Sequence, residues 1–279
     1  MNLSMIAASN TMGQLQRKMD TISNNIANVN TVGYKRREST FSDLLFQQVN
    51  NQIDPSKEVG RLTPHGIRVG SGAKIAQTAI RLEPGPVQQT ERQLDLALTS
   101  KGSLFQIQVD VDGTPEVRYT RDGAFYLSPS ATNPNLLNLV TANGDYVLGT
   151  AGPIMIPANF KNIMVNESGQ VSVSMNNGAQ VQAGQLAVVR AERPQMLEQV
   201  GENMFALPAN LAQLGLNQED IIGPGGQFSI MQGSLEMSNV DLGREMSELV
   251  MTQRSFEFNA RSITMADQMS GLINSIRQG

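Results

Sequence analysis

Residues 233–279 read GSLEMSNVDLGREMSELVMTQRSFEFNARSITMADQMSGLINSIRQG, and this stretch decides the fold. Its apolar residues recur at alternating steps of four and three, the spacing that lines one side of an α-helix for burial against a second helix. The predicted stripe consists of Leu242, Met246, Leu249, Gln253, Phe256, Ala260 and Ile263, and it resumes with an offset at Met269, Leu272 and Ile276. A helix from 241 to 276 would be about 54 Å long. The pattern therefore predicts a long helix that needs a partner.

The first thirty residues offer that partner. Their apolar positions also step by three and four, at Met5, Ala8, Met12, Leu15, Met19, Ile22, Ile26 and Val29. Residues 1–37 carry five basic side chains against one aspartate, whereas residues 233–279 carry six acids against four arginines. We therefore expect the two helices to pair as a coiled-coil root, fully ordered only in an assembly because a two-helix seam buries little surface. Two core helices of an ordinary globular protein are the alternative.

A bend is predicted directly after the first helix. Asn24, Asn25, Asn28 and Asn30 are too many amides for a simple amphipathic helix, and Gly33 follows where the chain must change direction. We expect a fixed bend whose amides bond backbone groups, and we expect it to lie outside the core of the β-domain. The alternative is a solvated, frayed helix end.

The middle of the chain predicts a different structure. Short runs of Val, Ile, Leu, Phe and Tyr alternate with two-residue turn signals that end in glycine. Asp-Gly and Asn-Gly between such runs are the strongest short-range signal for a β-hairpin. The Asp-Gly, Asn-Gly and Ser-Gly pairs begin at Asp112, Asp122, Asn143, Ser168 and Asn177. The fold class is thus mainly β, an antiparallel β-domain with long N- and C-terminal α-helices. The expected division is a helical assembly root (1–40 and 235–279), a linker or extended arm (41–72) and a β-rich central domain (73–234). At the start of the predicted linker, Phe41, Leu44, Leu45 and Phe46 have helical spacing.

Composition argues against several functional classes. Charged residues make up 16% of the chain, and the net charge of −4 gives no basic footprint for nucleic acid. The chain has no cysteine and one histidine, His65, in a segment rich in Pro and Gly, so neither a zinc site nor a Ser-His-Asp triad is expected. Asp110 and Asp112 resemble the start of a calcium loop, but Arg121 occupies the twelfth position, and a hairpin turn is favoured. We expect no cofactor, no enzymatic activity and no transmembrane segment.

Several motifs resemble those of bacterial flagellar axial proteins, the rod, hook and hook-associated subunits. SNNIANVNTVGYK at 23–35 is similar to their N-terminal signature, and SNVDLGREMSELVMTQRSFEFNARSITMADQM at 238–269 is similar to their C-terminal signature. LDLAL at 94–98, YTRDGAF at 119–125 and LVTANGDYVLG at 139–149 resemble the central domain of the distal rod and hook group. KGSLF at 101–105 departs from it, where the family more often has a glycine and paired aromatic residues.

This resemblance implies a structural subunit of the basal-body rod or rod-hook region, located outside the cytoplasmic membrane. It further implies a homo-oligomeric helical tube, neighbouring rod and hook proteins as partners, and passage through the flagellar type III export apparatus without a cleaved signal. The residues expected at the assembly interface are Met5, Met12, Leu15, Met19, Ile22, Asn24, Asn25, Ile26, Asn28, Gly33, Tyr34, Leu242, Met246, Leu249, Phe256 and Ile263.

A second function of another class stays open from the sequence. An amide-rich β-domain on a coiled-coil anchor also suits a cell-wall protein that binds or hydrolyses carbohydrate. Such an enzyme would have a cleft with converging acids, since glycoside hydrolysis uses paired carboxylates. A tube subunit would instead have self-complementary flanks.

Overall fold

The computed structural model describes residues 3–43, 46–49, 67–70, 73–130, 133–201, 203–211, 213, 215–226 and 228–278. Its helices are α1 (Leu3–Ala27), the short α2 (Gln218–Ile221) and α3 (Leu242–Gln278), with a 3-10 turn at Pro194–Met196. The first strands are β1 (Arg37–Asp43), β2 (Phe46–Val49), β3 (Ile67–Gly70), β4 (Ala73–Ile80), β5 (Val87–Gln89), β6 (Leu96–Leu98), β7 (Ser103–Val111), β8 (Thr114–Thr120), β9 (Tyr126–Pro129), β10 (Leu136–Val140) and β11 (Tyr146–Gly149). The later strands are β12 (Gly152–Pro153), β13 (Met155–Pro157), β14 (Phe160–Val165), β15 (Gln170–Met175), β16 (Gln180–Gln185), β17 (Val188–Ala191), β18 (Glu198–Gly201), β19 (Met204–Ala206), β20 (Ile222–Pro224), β21 (Ile230–Gln232) and β22 (Ser234–Glu236). The predicted fold class, mainly antiparallel β with long terminal helices, is confirmed.

The chain divides into two compact units. The helical unit comprises Met1–Asn24, Glu38–Ala79 and Gly243–Gly279, and the β unit comprises Asn25–Arg37 and Ile80–Leu242. These boundaries differ from the predicted ones in three places. The bend after α1 groups with the β unit, the strands that follow the bend group with the helices, and residues 235–242 group with the β unit.

The predicted linker, 41–72, is described only in part, since residues 44–45, 50–66 and 71–72 lie outside the described residues. Its described part forms strands: β1 pairs with β4, and β2 pairs with β3 in antiparallel register. The helical interpretation of the apolar cluster is wrong, because Phe41 lies in β1 and Phe46 begins β2. Short runs of apolar residues are compatible with both helix and strand, so spacing alone could not decide.

Strand β7 organises the β unit. It forms a hairpin with β8, with Phe105 opposite Thr120 and Val111 opposite Thr114, and it also pairs with β11 and β17. Successive side chains of a strand point to opposite faces. Accordingly Phe105 and Ile107 pack in one apolar cluster, with Phe125 and Val147, while Leu104 packs in a second cluster. The first three residues of β7 are therefore buried on both faces, whereas Asp110 near its other end is exposed.

The hairpin turns largely follow the sequence signals. Asp112 and Gly113 both have positive φ, 51° and 82°, as a type I′ turn between β7 and β8 requires. Gly169 and Gly178, in the turns of the sheet β14-β15-β16, also have positive φ. The exception is Asp122-Gly123, which links β8 to β9 without pairing them. A Cβ on Gly123 would collide with the carbonyl oxygen of Leu96, so this glycine permits a close backbone approach rather than a hairpin.

Candidate assembly interface

One side of α1 is packed within the helical unit. Ala8, Leu15 and Ile22 are buried, and Met5, Met12 and Met19 between them are half-buried. Strands β1 and β4 contribute to this packing. Ser39 of β1 donates its hydroxyl hydrogen to Thr21 Oγ1 at 3.1 Å, and the backbone N–H of Ile75 donates to Gln14 Oε1 at 3.0 Å. Ile26, the last apolar position of the predicted interface on α1, is half-buried in the β unit.

The two helices meet near the middle of the helical unit. Lys18 Nζ of α1 lies 2.7 Å from Glu248 Oε1 of α3 and 5.5 Å from the centre of the Phe41 ring. Beside this ion pair is an open groove of about 490 Å³, lined by residues that include Leu15, Phe41, Met251 and Ser255. Because the two charged side chains remain partly exposed, the pair contributes little to stability. It joins a basic residue of α1 to an acidic residue of α3, in the sense that the opposite net charges of the two ends predict.

The packed side of α3 is shifted from the predicted stripe. Buried or half-buried residues recur at steps of four and three at Glu245, Leu249, Thr252, Phe256, Asn259, Ile263, Ala266 and Ser270. Leu249, Phe256 and Ile263 belong to both stripes, but Leu242 and Met246 are 47% and 50% exposed. Small polar residues tolerate packing here because the helix backbone satisfies them; the Thr252 hydroxyl, for example, donates to Glu248 O at 2.7 Å.

A second apolar stripe of α3 faces solvent, which we call the outer stripe. It consists of Met251, Phe258, Met265 and Leu272, at seven-residue intervals, with Met269 and Ile276 beside its C-terminal half. The first four are 69%, 69%, 54% and 64% exposed. The predicted stripe does not include the first three residues, although their heptad spacing is visible in the sequence. Large apolar side chains that recur every seven residues on an exposed side of a helix are typical of a surface that packs against another helix.

The bend after α1 is closed by one amide. Asn25 Nδ2 donates to Arg37 O at 2.8 Å, while Asn25 Oδ1 accepts hydrogen bonds from Arg37 N at 3.0 Å and from the Tyr34 hydroxyl at 3.1 Å. Both ends of the buried Asn25 side chain thus tie residue 25 to residue 37. Asn24 instead donates to Asp20 O, and Asn28 Oδ1 accepts from the Thr31 hydroxyl. The geometry is the fixed bend that the sequence predicts.

Gly33 has the conformation that its position in the bend requires. Its φ is +68°, in the left-handed region that glycine adopts without strain. Its N–H donates to Glu236 O at 2.9 Å, and a Cβ at this position would lie 2.5 Å from Asp122 N. The bend therefore packs directly on the β unit, with Tyr34 and Lys35 buried. The expectation that the bend lies outside the β core is wrong.

Three charged side chains meet in the β unit beneath the bend: Lys35, Arg121 and Glu236, which we call the charge cluster. Their side chains are 0%, 1% and 1% exposed. Lys35 Nζ lies 2.6 Å from Glu236 Oε1, and Arg121 Nε donates to Glu236 Oε2. Burial lowers the pKa of Lys35 to about 8, against the opposing attraction of Glu236. The sequence does not show that these charges meet: Lys35 begins a run of three basic residues, Arg121 adjoins Asp122, and Glu236 lies far along the chain from both.

The chain combines long N- and C-terminal helices with a β-rich unit, and its C-terminal helix has an exposed apolar stripe. Three family descriptions match the chain in the expected order. They are "Flagella basal body rod protein" over residues 5–35, "Flagellar hook protein FlgE/F/G D1 domain" over 100–173, and "Flagellar basal body rod FlgEFG protein C-terminal" over 231–276. The chain belongs to the flagellar basal-body rod and hook family.

Similarity to individual relatives extends over nearly the whole chain. The chain is 44% identical to the flagellar hook-basal body complex protein FlhP of Bacillus subtilis (strain 168), over 98% of this chain and 99% of the relative. It is 35% identical to the flagellar basal-body rod protein FlgG of Borreliella burgdorferi, over 97% of both chains. It is 34% identical to FlgG of Bacillus subtilis, over 92% of both. The expected family and the expected location in the flagellar basal body are confirmed.

Proposed function

We propose that this protein is a subunit of the basal-body rod or rod-hook region that self-assembles through its terminal helices into a tubular axial structure. Its partners are further copies of the chain and neighbouring rod and hook proteins. It reaches its site through the flagellar type III export apparatus. Relatives named as basal-body rod proteins and as a hook-basal body complex protein support the rod and its junction with the hook as its place.

The observation that carries the assembly proposal is the outer stripe of α3. Within one chain α3 packs its half-polar side and leaves its more apolar side in water. Burying an apolar side chain contributes roughly 1.5 to 3 kcal/mol, so leaving four large ones uncovered forgoes a large favourable term. A second copy that covers the outer stripe recovers that term, and a seven-residue repeat suits a helix as the covering element.

The proposed interface residues divide into two groups. Leu15, Ile22, Leu249, Phe256 and Ile263 pack within one chain and support the helices that the assembly uses. Leu242 and Met246 are exposed and available to a neighbour, like the outer stripe. Met5, Met12, Met19, Ile26, Asn24, Asn25, Asn28, Gly33 and Tyr34 line the rest of α1 and the bend. We propose that all of them shape the contact surface, directly or by holding α1 and the bend in place.

A structural role without enzymatic activity is part of the proposal. An open groove of about 630 Å³ in the β unit is lined by Ser100, Ser168, Gln185, Gly226, Phe228 and Ser229, a set without the converging acids that glycoside hydrolysis needs. The described residues contain no group of three or more His, Cys, Asp or Glu side chains placed to hold a metal ion, and His65 lies outside them. Among the helices of the described part, none has the length and apolar character for crossing a membrane.

The test is self-association of the purified chain. Phe258→Asp and Met265→Asp place a charge on the outer stripe, while Asn177→Asp places the same charge on an exposed hairpin turn of the β unit. We expect the parent and Asn177→Asp to form polymers visible by negative-stain electron microscopy, and both stripe variants to stay monomeric in sedimentation. Polymerisation of the stripe variants at the level of the parent would refute the proposed role of α3.

A further inference from the structure

The charge cluster joins three segments that are far apart along the chain. Lys35 follows the bend, Arg121 follows β8, and Glu236 ends β22, the last strand before α3. The ion pair between Lys35 and Glu236 spans 201 residues. Both ends of the β unit's chain therefore meet at one buried carboxylate.

Each member of the charge cluster also bonds a further segment. Lys35 Nζ donates to Glu83 O at 2.9 Å, and the N–H of Gly85 donates to Glu236 Oε1 at 2.8 Å. Arg121 Nη2 donates to Leu98 O at 2.7 Å, and Nη1 donates to Ser103 O. The bonds of the cluster form together only when the segment around 83–85, β6, β7, β8 and β22 all occupy their places.

Stability alone does not account for such a cluster. Two buried cations share one carboxylate, and a buried ion pair is often no more stabilising than apolar residues of similar volume. Removing one partner, however, leaves a charge without its counter-ion in a region that excludes water. An arrangement of this kind selects one conformation sharply, because partial formation is worse than complete formation.

We propose that Lys35, Arg121 and Glu236 form a latch that fixes the bend only in a chain whose β22 strand has docked. Two contacts connect the bend to β22: the Lys35–Glu236 ion pair and the hydrogen bond from Gly33 N to Glu236 O. The N-terminal bend thereby becomes ordered after the C-terminal strand of the β unit is in place. If the proposed function holds, a subunit with an unfinished β unit does not present an ordered bend to its neighbours.

Hydrogen exchange of the full-length chain tests the latch. Lys35→Met removes the tether but leaves Glu236 paired with Arg121, so the β unit keeps a neutral buried pair. We expect amides of residues 30–37, with Gly33 as the most direct reporter, to exchange at least tenfold faster, while amides of β7 exchange at the parent rate. Lys101→Met is the matched control, since this lysine pairs with Glu83 at the exposed surface and its loss leaves both regions unchanged.

Three outcomes would overturn the latch. Unchanged exchange in residues 30–37 of Lys35→Met would mean that Asn25 and Gly33 hold the bend without the cluster. Equal acceleration in the bend and in β7 would mean that the cluster only supports general stability. Lys35→Gln keeps a hydrogen-bond donor near the Glu83 carbonyl, so we expect its exchange rate in residues 30–37 to rise less than that of Lys35→Met. If Lys35→Met does not fold, Lys35→Gln decides the test. A folded Lys35→Gln variant with no increase in this exchange rate would then also overturn the latch.

Polymer yield separates the latch from the proposed function. Because the exchange measurement uses monomers, it decides the latch whether or not the chain assembles. A loosened bend together with a reduced polymer yield supports both the latch and its consequence for assembly. A loosened bend with the parent's yield refutes the consequence alone, and failure of the parent chain to polymerise counts against the proposed function.

Discussion

The β unit and the helical unit differ in how far they bury apolar and charged side chains. In the β unit, Leu98, Phe105 and Ile107 are fully buried, and even charged side chains are enclosed with their partners. In the helical unit, Phe258 and its neighbours on the outer stripe face water, while polar Thr252 and Glu245 are buried. A single chain thus buries the large apolar side chains of the β unit, whereas it leaves several of the helical unit in water. Under the proposed function this difference separates folding from assembly, and the following changes test it.

Glu236→Gln should produce the largest effect on the β unit. It leaves Lys35 and Arg121 buried without a counter-ion, and breaking a buried pair in this way costs about 3 to 5 kcal/mol. We expect a matching loss in the free energy of unfolding, measured by urea denaturation. Glu192→Gln is the control, because Glu192 pairs with Arg190 at 3.5 Å on the exposed surface. Equal losses in the free energy of unfolding for the two changes would show that the charge cluster contributes no more to the stability of the β unit than a surface ion pair.

Raising the pH should stabilise the β unit through Lys35. Its pKa is about 8 in the folded chain and 10.5 as its ordinary value, so between these values the unfolded chain binds more protons and stability rises with pH. Each unit of difference corresponds to about 1.4 kcal/mol, which gives on the order of 3 kcal/mol over the full window. The charged groups that face Lys35 are Glu236 and Arg121.

The measurement for this pH effect is the urea midpoint at pH 7.5 and pH 9.5, below the range in which Tyr119 titrates, since burial raises the pKa of that phenol. Lys35→Met should lack the increase that the parent shows. A parent and a variant with the same pH dependence would assign the effect to other groups.

Gly33→Val should destabilise the β unit by a smaller amount. A β-branched residue at φ +68° is strained by about 1 to 3 kcal/mol, and its Cβ would press on the backbone of Asp122. We expect a lower thermal midpoint for the β unit, together with impaired rod completion in cells. Gly13→Val is a control for assembly, because a Cβ at Gly13 meets nothing within 4 Å. If Gly33→Val left the stability of the β unit unchanged, the bend would belong to the helical root and not to the β unit.

Phe258→Asp should have the smallest effect on the folded monomer. The side chain is exposed, so the change in the free energy of unfolding should stay within about 0.5 kcal/mol, although polymerisation is lost. Phe256→Asp, two residues earlier and half-buried, should cost stability as well as assembly. Circular dichroism melting of both monomers distinguishes these cases. A destabilised Phe258→Asp monomer would place the outer stripe inside the fold of one chain.

Local signals in the sequence were sufficient for several elements. Periodic apolar residues predicted α1 and α3, Asp112-Gly113 predicted the β7-β8 hairpin, and Gly33 predicted a change of chain direction after α1. Each of these features depends on neighbours within a few residues. These features can therefore be predicted from the local sequence.

Other features depend on which residues meet in space. Apolar residues occur on more than one side of α3, so spacing could not show that the side with Thr252 and Asn259 packs while Met246 stays exposed. The charge cluster was out of reach for the same reason, since Lys35 and Glu236 are 201 residues apart. The boundary between the two units was mispredicted for the same reason, because the packing of the bend on the β unit depends on that distant contact.

The seven-residue interval of the outer stripe also fixes a handedness. A straight α-helix has 3.6 residues per turn, so positions seven apart drift by about 20° around its axis with each repeat. From Met251 to Leu272 the outer stripe covers three such repeats and drifts by roughly 60° in total. A neighbouring helix that follows the stripe along this length must wind around α3 in a left-handed sense.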